Sequence, residues 1–71
     1  MIQFTTTNSV YQVRIVDDAF HVKKVGVVNP ESTHFSVGDE VVSGYLELGI
    51  GMSAAFAGVR TSRVLAITES A

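Results

Sequence analysis

Apolar and polar residues alternate through the opening third of the chain. The alternation runs along residues 2–5 and 10–16, and it returns along residues 20–25 after the polar pair Asp17-Asp18. A period of two residues is typical of a strand with one buried face, and adjacent Asp residues favour a tight turn. Asn8-Ser9 provides a second turn signal. This part of the chain therefore predicts a three-stranded antiparallel meander.

Extended segments separated by turn residues continue along the rest of the chain. Asn29-Pro30-Glu31-Ser32 predicts a loop, because proline disfavours a helical conformation at the preceding residue and has no backbone donor. Gly38-Asp39 predicts a turn, after which Val41-Val42 begins a new extended run. Residues 45–50 and 64–68 each predict a strand.

The stretch from Gly51 to Arg60 fits two interpretations. Residues 53–58 form either one short helix that ends at Gly58 or a loop followed by a strand. In both cases the predicted fold class is mainly β: a small antiparallel sheet, or a partly open SH3-like or OB-like barrel, of about five or six strands. No repeat or linker divides the chain, so residues 1–71 predict a single β domain.

Composition shows that the chain is apolar for its size. Of the 71 residues, 46% are hydrophobic and 17% are charged, which is more apolar than a typical globular chain. So short a chain has a thin core, and part of its apolar surface is expected to meet a partner or a second copy. A homo-oligomer is therefore predicted.

The absence of cysteine excludes several kinds of site. Disulfides, thiolate metal centres and a cysteine nucleophile are all ruled out. Small secreted domains usually depend on disulfides, so a cytoplasmic location is expected. The first residues lack the basic region and apolar run of a signal peptide, and no apolar run reaches the ~18 residues of a membrane span. We expect no membrane association.

Gly49-Ile50-Gly51-Met52-Ser53-Ala54 matches the glycine pattern of dinucleotide-binding loops. In those proteins the glycines let the backbone approach a phosphate at the start of a helix. Few residues follow Gly51, whereas a βαβ unit needs about 30, so there is no room for the parallel sheet that this loop serves. The glycines therefore predict a bend or a bulge, and no cofactor is expected.

Other catalytic or metal-binding patterns are weak. Asp17-Asp18 and Asp39-Glu40 are carboxylate pairs, but both fall at predicted turns, where Asp is favoured for its backbone hydrogen bonds. His21 and His34 are the only histidines, and neither has a second ligand at metal-site spacing. No G-x-S-x-G elbow is present. The chain is therefore predicted to be neither an enzyme nor a metalloprotein.

The basic residues allow a further interpretation. Arg14 and Lys23 fall on the two arms of the predicted hairpin, nearly opposite each other. With Tyr11, Phe20 or Tyr45, such a face would bind single-stranded nucleic acid by charge and stacking. The formal net charge of −2 argues against this partner, because phosphate contacts dominate affinity of this kind.

The segment from Leu46 to Ala57 has a single charged residue, Glu47. It fits a strand buried on both faces, an interface, or both, because so small a domain has little interior for this many apolar residues. The expected interface residues are Leu46, Leu48, Ile50, Met52 and Phe56. Backbone N–H groups and guanidinium groups nearby form a candidate anion or ligand site. Its residues are Gly49, Gly51, Arg60 and Arg63.

Two segments resemble those of a known group of proteins. Residues 2–11 (IQFTTTNSVY) and 61–67 (TSRVLAI) resemble the opening and the closing strand of small uncharacterised proteins of tailed bacteriophages. The middle of the chain departs from that pattern, since the acidic, Trp-containing segment expected there is missing. The resemblance implies a small β-rich accessory protein in the bacterial host cytoplasm, and it assigns no activity to any residue.

These patterns favour a non-enzymatic binding protein that occupies a host or viral protein and associates with itself. The first alternative is a small-ligand or nucleotide-binding protein of the sequestering kind, which uses the glycine and arginine site. The second alternative is a nucleic-acid-binding small barrel.

Overall fold

Six antiparallel strands form a curled sheet in the computed structural model, which describes residues 1–29 and 35–69. The order across the sheet is β4-β3-β2-β1-β6-β5. The strands are β1 Ile2–Thr6, β2 Ser9–Val16, β3 Ala19–Val27, β4 Glu40–Ser43, β5 Ser53–Phe56 and β6 Val59–Glu69. The mainly β fold class is confirmed. The loop predicted at residues 29–32 lies outside the described residues apart from Asn29, and so does His34.

The β2–β3 hairpin folds as the alternation predicted. Val16 pairs with Ala19, which leaves Asp17 and Asp18 as a two-residue turn with φ angles of 50° and 62°. Positive φ at both central residues defines a type I′ turn, whose twist matches that of the flanking strands. Asp adopts this conformation more readily than most residues. The turn function of this pair is therefore confirmed.

The β1–β2 turn is shifted by one residue from its predicted position. β2 already begins at Ser9, so the turn residues are Thr7 and Asn8. The buried hydroxyl of Thr6 accepts the N–H groups of Asn8 at 3.2 Å and Ser9 at 3.0 Å, and it donates to the Ser9 carbonyl at 3.2 Å. The hydroxyl thus satisfies turn N–H groups that would otherwise be buried without a partner.

Irregular pairing at three places curls the sheet. The pairing of β1 with β6 changes register between Thr5 and Thr6, and the pairing of β5 with β6 changes register between Ser53 and Ala55. The pairing of β2 with β3 changes register between Val10 and Tyr11. An extra residue in one strand bends that strand and increases its twist. The sheet therefore curls into half a barrel, with β4 and β5 at its two edges.

The core lies on one face of the curled sheet. Phe4 stacks on Tyr11 with ring centroids 5.1 Å apart, and Tyr11 meets Phe56 edge-on at 5.9 Å. Burial of an aliphatic or aromatic side chain of this kind contributes about 1.5–3 kcal/mol. The other buried core residues are Val13, Val22, Ala54 and Val64. Strands from both halves of the chain therefore share one core.

The strand predicted at residues 45–50 is wrong. Within this segment the structure has a single isolated bridge, in which Glu47 donates to the Ala55 carbonyl at 2.9 Å and accepts the Ala55 N–H at 3.0 Å. The segment follows the outer edge of β5 and covers it, but it does not continue a ladder. The alternation of residues 45–48 therefore reflects partial burial against β5 rather than membership of the sheet.

The helix interpretation of residues 53–58 is also wrong, and the strand interpretation is confirmed. Ser53–Phe56 is β5, and Ala57-Gly58 is a two-residue turn with φ angles of 50° and 76°. The last three residues of β5 are all buried, because β5 lies between β6 and the segment that covers its edge. Consecutive burial removes the period-two signal by which a strand is recognised in a sequence.

Candidate functional site

The segment predicted as an interface divides into a buried part and an exposed part. Phe56 is fully buried in the core, so it is not accessible to a partner and does not belong to the predicted interface. Leu46 and Leu48 are half-buried and pack against the same core. Ile50 and Met52 are exposed, with 62% and 50% of their surface accessible. Two of the five predicted interface residues are therefore available to a partner.

A fixed turn presents these two exposed side chains. The Met52 N–H donates to the Gly49 carbonyl at 3.3 Å, and Gly51 has a φ of 87°. Positive φ at the third residue is the mark of a type II turn and explains glycine at that position. Gly51 donates to the Val64 carbonyl and Val64 donates to the Met52 carbonyl, both at 2.9 Å. The predicted bend is confirmed, and two hydrogen bonds attach it to β6.

A third exposed apolar residue lies beside this turn. Leu65 directly follows Val64, the residue to which the turn is hydrogen-bonded, and it is 53% exposed. We call Ile50, Met52 and Leu65 the turn patch. The hydrogen bonds of Gly51 and Met52 to Val64 bring the backbone of these three positions close together. Single exposed apolar residues are ordinary on a protein surface, whereas a group of them marks a surface for interaction.

One backbone donor of the candidate anion site, the Gly51 N–H, is already used within the protein. The Gly51 N–H donates to the carbonyl of Val64 and does not point at a ligand. Arg60 and Arg63 are exposed on β6, and Arg63 lies next to Val64 in the chain. The structure thus places Arg63 beside the turn patch along β6, but it does not provide the row of free backbone donors that a phosphate loop needs.

A cleft of about 520 Å³ lies at the end of the sheet where β1 begins. Ile2 pairs with Val13 on β2 and with Glu69 on β6, so the tip of the β2–β3 hairpin extends beyond the start of β1. A volume of this size is common among binding pockets. The residues that line it are Met1, Ile2, Val13, Arg14, Ile15, Val16 and Glu69.

Sequence reasoning missed the cleft, although it left a signal. Ile15 and Val16 are adjacent apolar residues just before the turn, and adjacent side chains on a strand point to opposite faces. Two faces cannot both meet a single core, so one of these residues had to be exposed. In the structure both are exposed, and Ile15 at 64% is the most exposed of the large hydrophobic residues described.

An ion cluster lies on the outer face of the sheet. Arg14 is opposite His21, whereas Lys23 is opposite Gln12, which corrects the expected pairing by two residues along the ladder. Glu40 on β4 accepts a hydrogen bond from His21 Nδ1 at 3.2 Å and lies 3.5 Å from Arg14 Nη2. The hydrogen bond from His21, helped by the charge of Arg14, lowers the pKa of the Glu40 carboxyl below its ordinary value.

The aromatic residues do not join this basic face. Tyr11 lies in the core, where burial raises the pKa of its phenol and a weaker hydrogen bond to Ser9 opposes the rise. Phe20 packs against the same core. The Tyr45 hydroxyl accepts the Gly58 N–H at 2.6 Å, in the turn between β5 and β6. None of the three therefore stacks beside Arg14, as the nucleic-acid interpretation required.

Lys24 is a structural residue of the core. Its side chain is 1% exposed, and its amine donates to the Phe35 carbonyl at 2.7 Å. The Phe35 ring stacks on Phe56 with centroids 6.2 Å apart, so this hydrogen bond fixes an aromatic residue of the core. The sequence does not distinguish Lys24 from its neighbour Lys23, and only the structure shows that Lys24 points inward while Lys23 is exposed.

The described residues contain no group of three or more His, Asp or Glu side chains placed to hold a metal ion. In the same part of the chain, no helix has the length and apolar character needed to span a bilayer. Comparison of the chain with protein-family models, with curated proteins and with solved structures found no match.

Proposed function

We propose that this chain is a non-enzymatic binding protein that acts by occupying another protein through the turn patch. The proposal rests on apolar side chains that are exposed to solvent and carried by a hydrogen-bonded backbone. Side chains that are 50% to 62% exposed stand on a backbone that two hydrogen bonds attach to β6. A surface of this kind is ready to bind before any partner arrives.

The free energy of such an interaction comes from covering apolar surface. Each square ångström of apolar surface removed from water contributes about 25 cal/mol. A flexible loop would lose part of this gain when it is ordered on binding, whereas a hydrogen-bonded turn has already lost that entropy on folding. The type II turn therefore favours affinity at a small contact area.

The charge beside the patch indicates the chemistry of the partner. Arg63 is exposed on β6, lies opposite Ser53 and is one residue away from Val64. Arginine is enriched at protein interfaces, where its guanidinium group forms paired hydrogen bonds with carboxylates. The expected partner surface is an apolar pocket or groove with a carboxylate at its rim.

The acidic pairs have structural functions, which supports a non-enzymatic chain. Asp17 and Asp18 form the type I′ turn. The Asp39 carboxylate accepts the Ser36 N–H at 3.0 Å in the turn before β4. Glu40 is engaged by His21 and Arg14 on the outer face of the sheet.

The biological setting belongs to the same proposal. The resemblance of residues 2–11 and 61–67 to phage proteins, together with the lack of cysteine, supports a phage accessory protein in the bacterial host cytoplasm. We further propose that the protein associates with itself, because the core of so short a chain is too small to bury all of its apolar side chains. The small-ligand alternative has less support without the Gly51 donor, as does nucleic-acid binding without a stacking aromatic residue.

The proposal is tested by identifying the partner through the patch itself. A photo-reactive amino acid at position 50 is crosslinked in a bacterial lysate, the captured protein is identified and purified, and its Kd is measured by calorimetry. Ile50→Asp and Leu65→Asp are expected to weaken binding by about tenfold or more, as loss of a central apolar contact does. Val42→Asp is the matched control, because Val42 is 58% exposed on β4 at the other edge of the sheet.

Two results would overturn the proposal. In one, the captured protein binds the two patch variants as tightly as it binds the wild type. In the other, Val42→Asp weakens binding as much as the patch variants do, which would show a general effect of added charge.

A further inference from the structure

We infer that the Met52 thioether is an oxidation site that regulates the turn patch: a hydroperoxide converts it to the sulfoxide, and the oxidised patch releases its partner. The inference rests on the proposed function, because it concerns regulation of the same surface. It also accounts for Gly49, the first glycine of the G-x-G pattern, which the positive φ of Gly51 does not explain.

The Met52 side chain packs directly against the Gly49 backbone. A Cβ atom on Gly49 would stand 2.8 Å from Met52 Sδ and 3.3 Å from its Cγ, so only glycine leaves room for the thioether in this position. The backbone conformation of Gly49 does not itself require glycine, since its φ is not positive. The Met52 N–H also donates to the Gly49 carbonyl, at 3.3 Å. Backbone and side chain together therefore give the sulfur a defined place in the turn patch.

The composition of the chain directs oxidation to methionine. There is no cysteine and no tryptophan, so reaction with a hydroperoxide falls on the two methionines, Met1 and Met52. Met52 is 50% exposed even with Gly49 packed against it. A small hydroperoxide can therefore reach this side chain without unfolding of the turn.

The reaction transfers one oxygen atom to the sulfur. A lone pair of Met52 Sδ attacks an oxygen of the hydroperoxide, so that an S–O bond forms and the O–O bond breaks. The sulfur is oxidised by two electrons, and the hydroperoxide is reduced to an alcohol, or to water when the oxidant is hydrogen peroxide. The proton of the transferred oxygen passes to the leaving oxygen through solvent.

The product does not suit an apolar contact surface. Oxidation converts a flexible apolar side chain into a polar one. Because Gly49 lies against the thioether, the added oxygen is expected on the solvent side, which a partner would cover. Burial of this oxygen without a hydrogen bond should weaken binding by about tenfold or more. In the free protein the oxygen stays in water, so the fold should be unaffected.

Peroxide treatment of the folded protein tests the inference, with the protein captured at position 50 as the ligand. Oxidation of Met52, measured by peptide mass spectrometry, should raise the Kd by about tenfold or more without lowering the melting temperature. Methionine sulfoxide reductases of both epimer specificities should then restore the original Kd. Captured protein that is bound before the treatment should protect Met52 from oxidation.

Variants at position 52 separate the effect of Met52 from that of Met1. Met52→Leu keeps an apolar side chain of similar size, so it should bind within about threefold of the wild type and keep that Kd after peroxide treatment. Met1 remains in this variant as an internal control, since it is also 50% exposed but lies at the far end of β1 from Thr6, which pairs with Val64. Met52→Gln introduces a polar side chain of similar length and should bind like the oxidised protein.

A methyl group at position 49 tests the packing of the sulfur without any partner. Gly49→Ala must displace the flexible end of Met52, so the fold should persist while Met52 is oxidised about twofold faster or more. Gly44→Ala is the matched control, because its added Cβ atom has nothing within 4 Å and should leave the oxidation rate unchanged. Equal rates in the wild type and both variants would overturn the defined place of the sulfur.

The outcomes distinguish the inference from the function on which it rests. If no protein is captured at position 50, the proposed function is overturned and the regulation with it. A captured protein that binds the reduced and oxidised chains equally overturns only the inference, as does a Met52 that stays reduced while Met1 is oxidised. Equal loss of binding by peroxide-treated Met52→Leu would assign the effect to another residue and would also overturn it.

Discussion

Turn residues show most clearly how single positions decide this structure. The β2–β3 and β5–β6 turns have positive φ at both central positions, and Asp17, Asp18 and Gly58 are residues that adopt it readily. Ala57 does not, yet it has a φ of 50°. For a residue with a Cβ atom the left-handed conformation costs roughly 1–2 kcal/mol. The cost is tolerated because the Ala57 N–H donates to Ser43 Oγ at 2.9 Å and so helps to join the two edges of the sheet.

Replacing Ala57 by Asn should stabilise the protein. Asn is favoured at the first position of a type I′ turn and keeps the backbone donor, so Ala57→Asn is expected to raise the free energy of unfolding by about 0.5–1 kcal/mol in urea titrations. Gly58→Ala provides the opposite case, since it adds a Cβ atom at a φ of 76° and should lower that free energy. Equal stabilities of the wild type and Ala57→Asn would show that the turn is not strained.

Pairing between elements creates contacts that no single strand contains. The register of β3 against β4 places His21 opposite Val42 and Lys23 opposite Glu40, which surrounds the Glu40 carboxylate with basic side chains on the outer face. The ion cluster is therefore a property of the β2–β3–β4 unit. Its dependence on pH follows from the lowered pKa of Glu40.

Acid should weaken the β2–β3–β4 unit by way of Glu40. Because the pKa of Glu40 is lower in the folded protein than in the unfolded chain, its contribution is present above the unfolded value and is lost as pH falls through the folded value. The difference in free energy of unfolding between the wild type and Glu40→Gln should therefore shrink as pH falls from about 6 to 3. Urea titrations across this range measure it, with Glu47→Gln as the control. A difference that stays constant with pH would contradict the linkage.

The elements also show how far the sequence determines the fold. The β2–β3 hairpin was predictable, because local alternation and the Asp17-Asp18 turn indicate the same structure. β5 was not predictable in this way, because its last three residues are all buried and its sequence therefore lacks the alternation that marks a strand. The cleft and the Glu40 cluster depend on which residues pair across strands, and register between distant strands cannot be read from either strand alone.

At the scale of the whole molecule, one core joins the two halves of the chain. Phe4 on β1 and Val64 on β6 are both fully buried, and β1 pairs with β2 on one side and with β6 on the other. Separating one of these strands from the sheet would expose core residues of its neighbours. The described part of the chain is therefore expected to unfold in one cooperative transition, as most small domains do.

Adjacent residues on β6 test this cooperativity. Val64→Ala should lower the free energy of unfolding by about 1–3 kcal/mol, because it leaves a cavity in the core, whereas Leu65→Ala should change it by less than about 0.5 kcal/mol, since Leu65 is exposed. Tyrosine fluorescence, which reports on Tyr11 and Tyr45, and far-UV circular dichroism should give the same midpoint for each variant. Separate midpoints for the two signals would show that part of the sheet unfolds independently.

The pairing of β1 with β6 has a consequence for the connectivity of the sheet. Ile2 lies opposite Glu69, so a short linker would join these strands as a hairpin and let the chain be opened between β4 and β5, for instance between Gly44 and Tyr45. In such a circular permutant the contacts with the longest separation in sequence would become local, which lowers the contact order and favours faster folding. The permutant would then form the same strands and the same core with a different chain connectivity.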